Sequence, residues 1–454
     1  MTVLWANQAL TPSGWQDNVR VEIDQTGIIT SISANQPESG TRTGILLPAV
    51  ANLHSHAFQR SMAGLTERRG PDPRDSFWTW RQLMFRFLDQ LSPDHIEAIT
   101  AFVQMEMLEA GYATNTEFHY LHHQPGGVPY DRLGEMTDRV IAAAAQTGIG
   151  LTLLPVHYQY GGCDKRPLGP GQIRFGNDPD RFARLYEDVA QSLTTLPADA
   201  RLGVAPHSLR AVGRDDLMTT ISLAKGGPVH MHLAEQVAEV EEVLASWGQR
   251  PVEWLLDHAD VAPNWCLIHC TQMQEHETIA LAQTGAVAGL CPITESSLGD
   301  GIFDGVRYLA HHGRIGIGSD SNIRISLSEE LRTLEYSQRL RDRSRAALAT
   351  PQKSTARRLY DDVALGGAQA AGRNAGRIEV GALADLMALD ATSVDLIGRT
   401  GDTILDAFVF AGDDRMVRDV WSAGRHMVRE GRHIAHDSIT NRYRQVMAQL
   451  RDTV

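Results

Sequence analysis

The 454-residue chain has no surplus of positive charge: 42 Lys and Arg stand against 55 Asp and Glu, a formal net charge of -13. That argues against a nucleic-acid partner, which would want a basic face. Small substrates stay open, because local charge in a cleft can oppose the net charge. No apolar run approaches the ~18 residues of a membrane helix. The start, MTVLWANQALTPSGW, has neither a basic segment nor a long apolar stretch and does not read as a secretory signal. Cysteine is sparse, at Cys163, Cys266, Cys270 and Cys291, with no C-x-x-C pair. Reduced, mostly buried thiols in a cytosolic protein are the expectation. H-E-x-x-H and P-C-x-x-C are both absent, which removes zincin and nucleic-acid deaminase chemistry. Solenoid-period repeats and low-complexity segments are missing as well. What is present, 43% hydrophobic and 21% charged residues, is ordinary for a globular enzyme with a large core.

Residues 1–46 read as short strands and turns, VRVEID and GIITSI among them. From LLPAVANLHSH the pattern changes to apolar strands alternating with helical stretches. The strand candidates are GILLPAVANLH, ATNTEF, GIGLTLLPV, RLGVAPHSL, GPVHMHLAE, NWCLIHC, GAVAGLC and GRIGIGSD. Between them lie helical segments such as SPDHIEAITAFVQMEMLEAG and PDRFARLYEDVAQSLTTL. Eight near-continuous apolar strands with helical crossovers predict a closed (β/α)₈ barrel over residues 47–375. Strand signals return after residue 376 in ADLMALD, ILDAFVFAG, VRDVWSAGRHMV and GRHIAH, and DSITNRYRQVMAQLRDTV reads as a terminal helix. The fold expected is α/β, a TIM-like barrel with a small β-sandwich domain built from both chain ends, residues 1–46 and 376–454.

Catalytic groups in such a barrel gather where strands end. The first candidate strand ends in His54-Ser55-His56, whose alternate side chains share one side of the strand. The fifth ends in His232-Leu233-Ala234-Glu235, the sixth in Ile268-His269 and the eighth in Gly318-Ser319-Asp320. A lone H-x-H is weak; the ordered set at the correct strands is not. Three imidazoles and one carboxylate suit Zn²⁺ or Fe²⁺. His230 alternates onto the side of His232 and reads as lower in the barrel and structural. His119, His122 and His123 could line the pocket but read rather as solvent-facing loop histidines.

With these residues the chain resembles the amidohydrolase superfamily over nearly its whole length, and within it the formimidoylglutamate deiminase family. The strings that carry the resemblance are NLHSHAFQRSMAG, DSFWTWRQLM, EFHYLHH, HSLRAV, HLAEQ, TESSLGDGIF and GIGSDS. The resemblance implies one zinc ion on His54, His56, His232 and Asp320, with Glu235 and His269 catalytic. It implies substrate contacts from Gln59, Arg81, Tyr120, His207 and Arg210. Some amidohydrolases bridge two metals through a carboxylated lysine on the fourth strand; RLGVAPHSLR has none, so one metal is expected. Many members look like homodimers, and the resemblance implies the same here.

A single metal would acidify water toward pKa ~7. Asp320 could accept the water proton, Glu235 shuttle it to a leaving nitrogen, and His269 hydrogen-bond the nucleophile or polarise the substrate. Arg81 and Arg210, from separate loops, could grip the two carboxylates of N-formimino-L-glutamate, the diacid the resemblance implies. Either arginine could instead belong to a surface ion pair. Nucleobase deamination by the same machinery predicts an aromatic slot, and residue chemistry alone leaves ammonia and formamide both open as the product. A catalytically dead scaffold would show lost ligands, and none is lost.

Overall fold

The computed structural model describes residues 1–67 and 77–451, apart from the side chains of residues 77–79, 81 and 82. Largely buried runs become the parallel staves of a barrel. In chain order these are Val50–Ser55, Tyr112–His119, Gly150–His157, the two short pieces Arg201–Leu202 and Ala205–Pro206, Val229–Leu233, Trp265–His269, Val287–Leu290 and Arg314–Ile317. Pairing is parallel throughout. The bridges Val204–Val229 and Ser55–Asp320 close the two seams. The fourth stave is broken at Gly203, where an added Cβ would lie 2.5 Å from the Pro228 carbonyl oxygen. Close backbone approach, rather than pleating, governs that edge.

Crossover helices begin where capping chemistry says they should. Ser92 accepts from the His95 N–H ahead of Pro93–Glu109, and Asp178 accepts from Arg181 N–H ahead of Pro179–Leu193, each with Pro at the helix start. A cap of this kind contributes about 1 kcal/mol.

The chain ends form a separate eight-stranded sheet, ordered Arg432–His433, Arg425–Arg429, Val417–Ser422, Leu386–Leu389, Thr41–Pro48, Thr2–Thr11, Gly14–Ile23, Ile29–Ser33. Period-two alternation gives it two apolar faces. Leu46, Leu386 and Ala388 pack with Leu4, Val21 and Trp421 on a core of the sheet's own, while Ile45, Leu47, Met387 and Leu389 join the barrel core. Two strand expectations are corrected here. GILLPAVANLH is not one strand: Thr41–Pro48 stays in the small sheet and Val50–Ser55 starts the barrel. Pro48, without an N–H, stands at the break. ILDAFVFAG is not a strand but lies in the helix Asp402–Phe410. Its buried residues Ile404, Leu405, Phe408 and Val409 follow helical spacing.

Barrel and sheet are stapled at the N-terminal end of the staves. The fully buried Arg373 guanidinium binds Asp385 through Nε and Nη2 at 3.0–3.2 Å and Asp199 at 3.0 Å. Arg425 closes on both oxygens of Asp199 at 2.8 Å. Asp385 also accepts the Ala423 N–H (2.6 Å) and the Thr114 hydroxyl (3.3 Å).

Candidate metal and catalytic site

At the opposite end of the staves, His54, His56, His232 and Asp320 offer ligand atoms that all lie within 4.8 Å of one another. His54 and His56 share a face of the first stave because one residue separates them. Asp320 reaches them because the eighth stave comes unusually close to the first. An added Cβ on Gly318 would stand 2.7–2.8 Å from His54, and the backbones bond as Asp320 N–H to His54 O and His56 N–H to Asp320 O, both 2.9 Å. Asp320 Oδ1 sits 3.4 Å from His54 Nε2 and 3.3 Å from His56 Nε2, and His54 Nε2 lies 3.2 Å from His232 Nε2.

The donor set fits a divalent ion. His56 Nδ1 lies 2.9 Å from the Phe118 carbonyl and His232 Nδ1 3.2 Å from the His207 carbonyl. Carbonyls only accept, so Nδ1 holds the proton in each ring and the Nε2 lone pair is left pointing at the shared centre. Burial, reinforced by neighbouring imidazoles, holds His54 and His232 well below the ordinary histidine value. Burial also lowers His56, against the pull of Asp320. Neutral imidazoles are the ligand form.

Strained backbone surrounds this centre. Ala234, His269, Cys270, Asp320 and Asn322 all have φ between +46° and +72°, a conformation that costs non-glycine residues energy and clusters at working sites. The turn at Ala234 brings Glu235 to the mouth, where Glu239 accepts the Ala234 and Glu235 N–H groups at 3.1 and 3.0 Å. Glu235 Oε1 and Asp320 Oδ2 each lie 3.9 Å from His269 Nε2. Burial pushes the Glu235 carboxyl up, opposed by His269. For His269, burial alone would lower the pKa, but Glu235, Glu295 and Asp320 outweigh it and carry it to about 10.

One cavity collects the sequence-derived residues. Gln59, Tyr120, His207, Arg210, Glu235 and His269 line it together with His56, His232 and Asp320; His54 lies just behind. Gln59 donates to the Tyr120 hydroxyl at 2.8 Å, while its own Oε1 is buried without a partner among the described residues. The Nε of Arg210 is in the same condition. Arg81 belongs to the helix Phe77–Leu88, but its side chain lies outside the described residues; Trp80 and Met84 of that helix line the cavity. His230 donates from Nε2 to the Ala370 carbonyl, 2.8 Å away, and is buried below the site.

The solvent-facing reading of His119, His122 and His123 is corrected. All three are buried, bonded to the carbonyls of Leu121, Val156 and Gly176 at 2.8–3.0 Å. They tie down the loop that carries Tyr120. Of the other cavity residues, Tyr158 and Phe175, from a loop and a short 3-10 helix, had no motif to mark them, whereas Leu298, in a short helix, belongs to TESSLGDGIF. Glu239 had a faint signal, an acid in the first turn of the helix Val237–Trp247.

Comparison with known proteins agrees with this geometry. The amidohydrolase family profile matches residues 45–427, and a profile described as formimidoylglutamate deiminase HutF, N-terminal domain, matches residues 1–41. A formimidoylglutamate deiminase from Pseudomonas aeruginosa is 45% identical over 456 residues, covering 100% of both chains. A 5-methylthioadenosine/S-adenosylhomocysteine deaminase from Natronomonas pharaonis is 27% identical, covering 84% of this chain and 82% of that one. Among solved structures, an amidohydrolase from Brucella melitensis superposes with a TM-score of 0.95 at 47% identity, over 99% of this chain and 100% of that one. A zinc-bound adenosine deaminase from Xanthomonas campestris shares the fold, with a TM-score of 0.83 at 20% identity over 99% and 98% of the two chains.

Proposed function

The chain belongs to the amidohydrolase family, in its formimidoylglutamate deiminase branch, and on that footing we propose that it hydrolyses N-formimino-L-glutamate to N-formyl-L-glutamate and ammonia, a step of histidine degradation. The observation that carries the substrate assignment is Arg210. Its buried Nε lacks a partner among the described residues and lines the same cavity as the metal-ligand set. A guanidinium in that state is matched by a carboxylate.

His54, His56, His232 and Asp320 would hold one divalent ion, zinc by the preference of three imidazoles and a carboxylate, which supplies Lewis acidity and water acidified toward pKa ~7. Glu235 takes the proton of the attacking water and returns it to the departing nitrogen. Its raised proton affinity suits that return. His269 directs Nε2 between Glu235 and Asp320 and hydrogen-bonds the reacting centre. Arg210, with Arg81, grips the carboxylates, and Gln59, Tyr120 and His207 supply polar contacts. Water adds to the formimino carbon, ammonia leaves, and the amide remains. Four buried, unpaired thiols support the cytoplasm as the location.

A second reading, nucleobase deamination, draws on the aromatic walls Trp80, Tyr120, Tyr158 and Phe175. Steady-state turnover of N-formimino-L-glutamate, guanine and cytosine, with ammonia and formamide assayed separately, decides between them. Faster turnover of either base, or release of formamide, overturns the proposal.

A further inference from the structure

TESSLGDGIF is one of the unusual strings of the sequence, yet the reaction so far uses none of its residues. In the structure it forms the helix Pro292–Leu298 and the turn after it. That segment touches three strands that carry reacting groups. Thr294 shares a hydrogen bond with Ser321 (2.8 Å), the neighbour of Asp320. Asp300 accepts from Gln236, the neighbour of Glu235. Glu295 meets His269 itself, with Oε1 3.2 Å from Nδ1.

We infer that Glu295 is a positioning residue for His269. The inference rests on the catalytic role proposed for that histidine. An imidazole is weakly held about its χ2 torsion. His269 ends its stave in left-handed backbone, φ +72°, and no backbone dihedral fixes the ring about χ2. Glu295 does. Its Oε1 is anchored by the Cys291 N–H at 2.8 Å and lies almost fully buried. A carboxylate oxygen accepts, so Nδ1 donates to it, and Nε2 is the atom presented to the cavity between Glu235 and Asp320.

The trio His269, Cys291 and Glu295 also brings ligand atoms within 4.8 Å. Burial holds the Cys291 thiol protonated, and Glu295 Oε1 already receives two N–H donors. The trio is therefore a hydrogen-bonded support and not a second ion site.

The test is a double-mutant cycle on the metal-loaded enzyme with N-formimino-L-glutamate: E295A, H269N and the pair, with kcat and metal content for each. E295A is expected to lose ~10–100-fold in kcat, the usual cost of removing an outer support, with one ion per chain retained. E295Q keeps an accepting oxygen and should recover most of that loss. In the H269N background E295A should cost almost nothing. If E295A does not fold, E295M fills the same volume and carries the cycle. An equal loss in both backgrounds, or loss of an ion from the E295 variant, overturns the inference. Normal turnover by H269N would instead strike the role proposed for His269, and Glu295's with it.

Discussion

At the N-terminal end of the barrel, two arginines and two aspartates are buried together and satisfy one another. Arg373 spans Asp385 and Asp199, Arg425 closes on Asp199, and backbone and hydroxyl donors take further lone pairs. At the C-terminal end, His54, His56 and His232 turn their Nε2 atoms toward one another and toward Asp320. Nearby, Gln59 and Arg210 keep buried polar atoms unpaired among the described residues, and burial beside Glu235 pushes the Asp300 carboxyl up to about 9. The first cluster is complete within the chain. The second leaves ligand atoms and donors open, the state that the proposed cation and anionic substrate would fill. The division follows the architecture of the barrel: strain and unpaired groups are tolerated where binding relieves them, while the closed end supplies stability.

This contrast breaks most visibly at the open end. Asp320→Ala and His54→Ala should each lose the bound ion, measured by elemental analysis, and turnover should fall below detection while the protein stays folded. Two ions per active chain would refute the mononuclear set. Glu235→Gln should keep the ion and the fold but lose ~10²–10⁴-fold in kcat, since a positioned acid–base contributes that much. Loss of metal in that variant would place Glu235 among the ligands.

The closed end should break in the opposite sense. Arg373→Met leaves Asp385 and part of Asp199 buried without a counter-charge, at a cost of roughly 3–5 kcal/mol. A fall in Tm with kcat per folded molecule unchanged is expected; a kcat effect larger than the stability effect would dissolve the distinction between the two ends. Arg210→Met sharpens it from the open side. Losing one charge-assisted bond to a carboxylate should cost about 10–100-fold in kcat/KM, with metal content unchanged. Unaltered kcat/KM would remove Arg210 from substrate binding.

The open end was the more legible of the two in the sequence. Its ligands stand at strand ends with period-two or short spacing, so H-x-H, H-x-x-E and a strand-end S-D are visible without a fold. Glu295 was not visible, because its partner His269 lies 26 residues away and only the closed barrel brings them together. Burial of His122 and His123 depends on the Arg174–Asn177 segment folding over them, some fifty residues later. The Asp402–Phe410 helix was misread because a short, nearly continuous apolar run has no period of its own. GILLPAVANLH hid two strands for a related reason: nothing in its apolar content says that Pro48 ends one sheet and Val50 begins another.

The two ends should also differ in acid, and the sign follows from the direction of each shift. Asp199 is held below the ordinary carboxylate value by Arg425 and Arg373, which outweigh its burial. Its contribution is present above the unfolded value of 3.8 and is lost only as pH falls through the lower folded one. His119 and His230 behave oppositely. Burial lowers each from 6.5 to about 4. Between those values the unfolded chain binds a proton that the folded chain refuses, so stability falls as pH drops from 6.5 toward 4. The slope is on the order of 1 kcal/mol per pH unit for each such histidine. Acid should therefore loosen the histidine-rich barrel interior while the arginine–aspartate staple is still fully charged. Urea unfolding of metal-stripped protein across this range measures the slope, and stripping removes the separate effect of losing the ion. His119→Gln and His230→Gln should each flatten the curve between pH 4 and 6.5 and leave the slope above pH 7 unchanged. A stability curve that stays level down to pH 4, or one that both substitutions leave as steep as before, would show that these rings accept protons in the folded state.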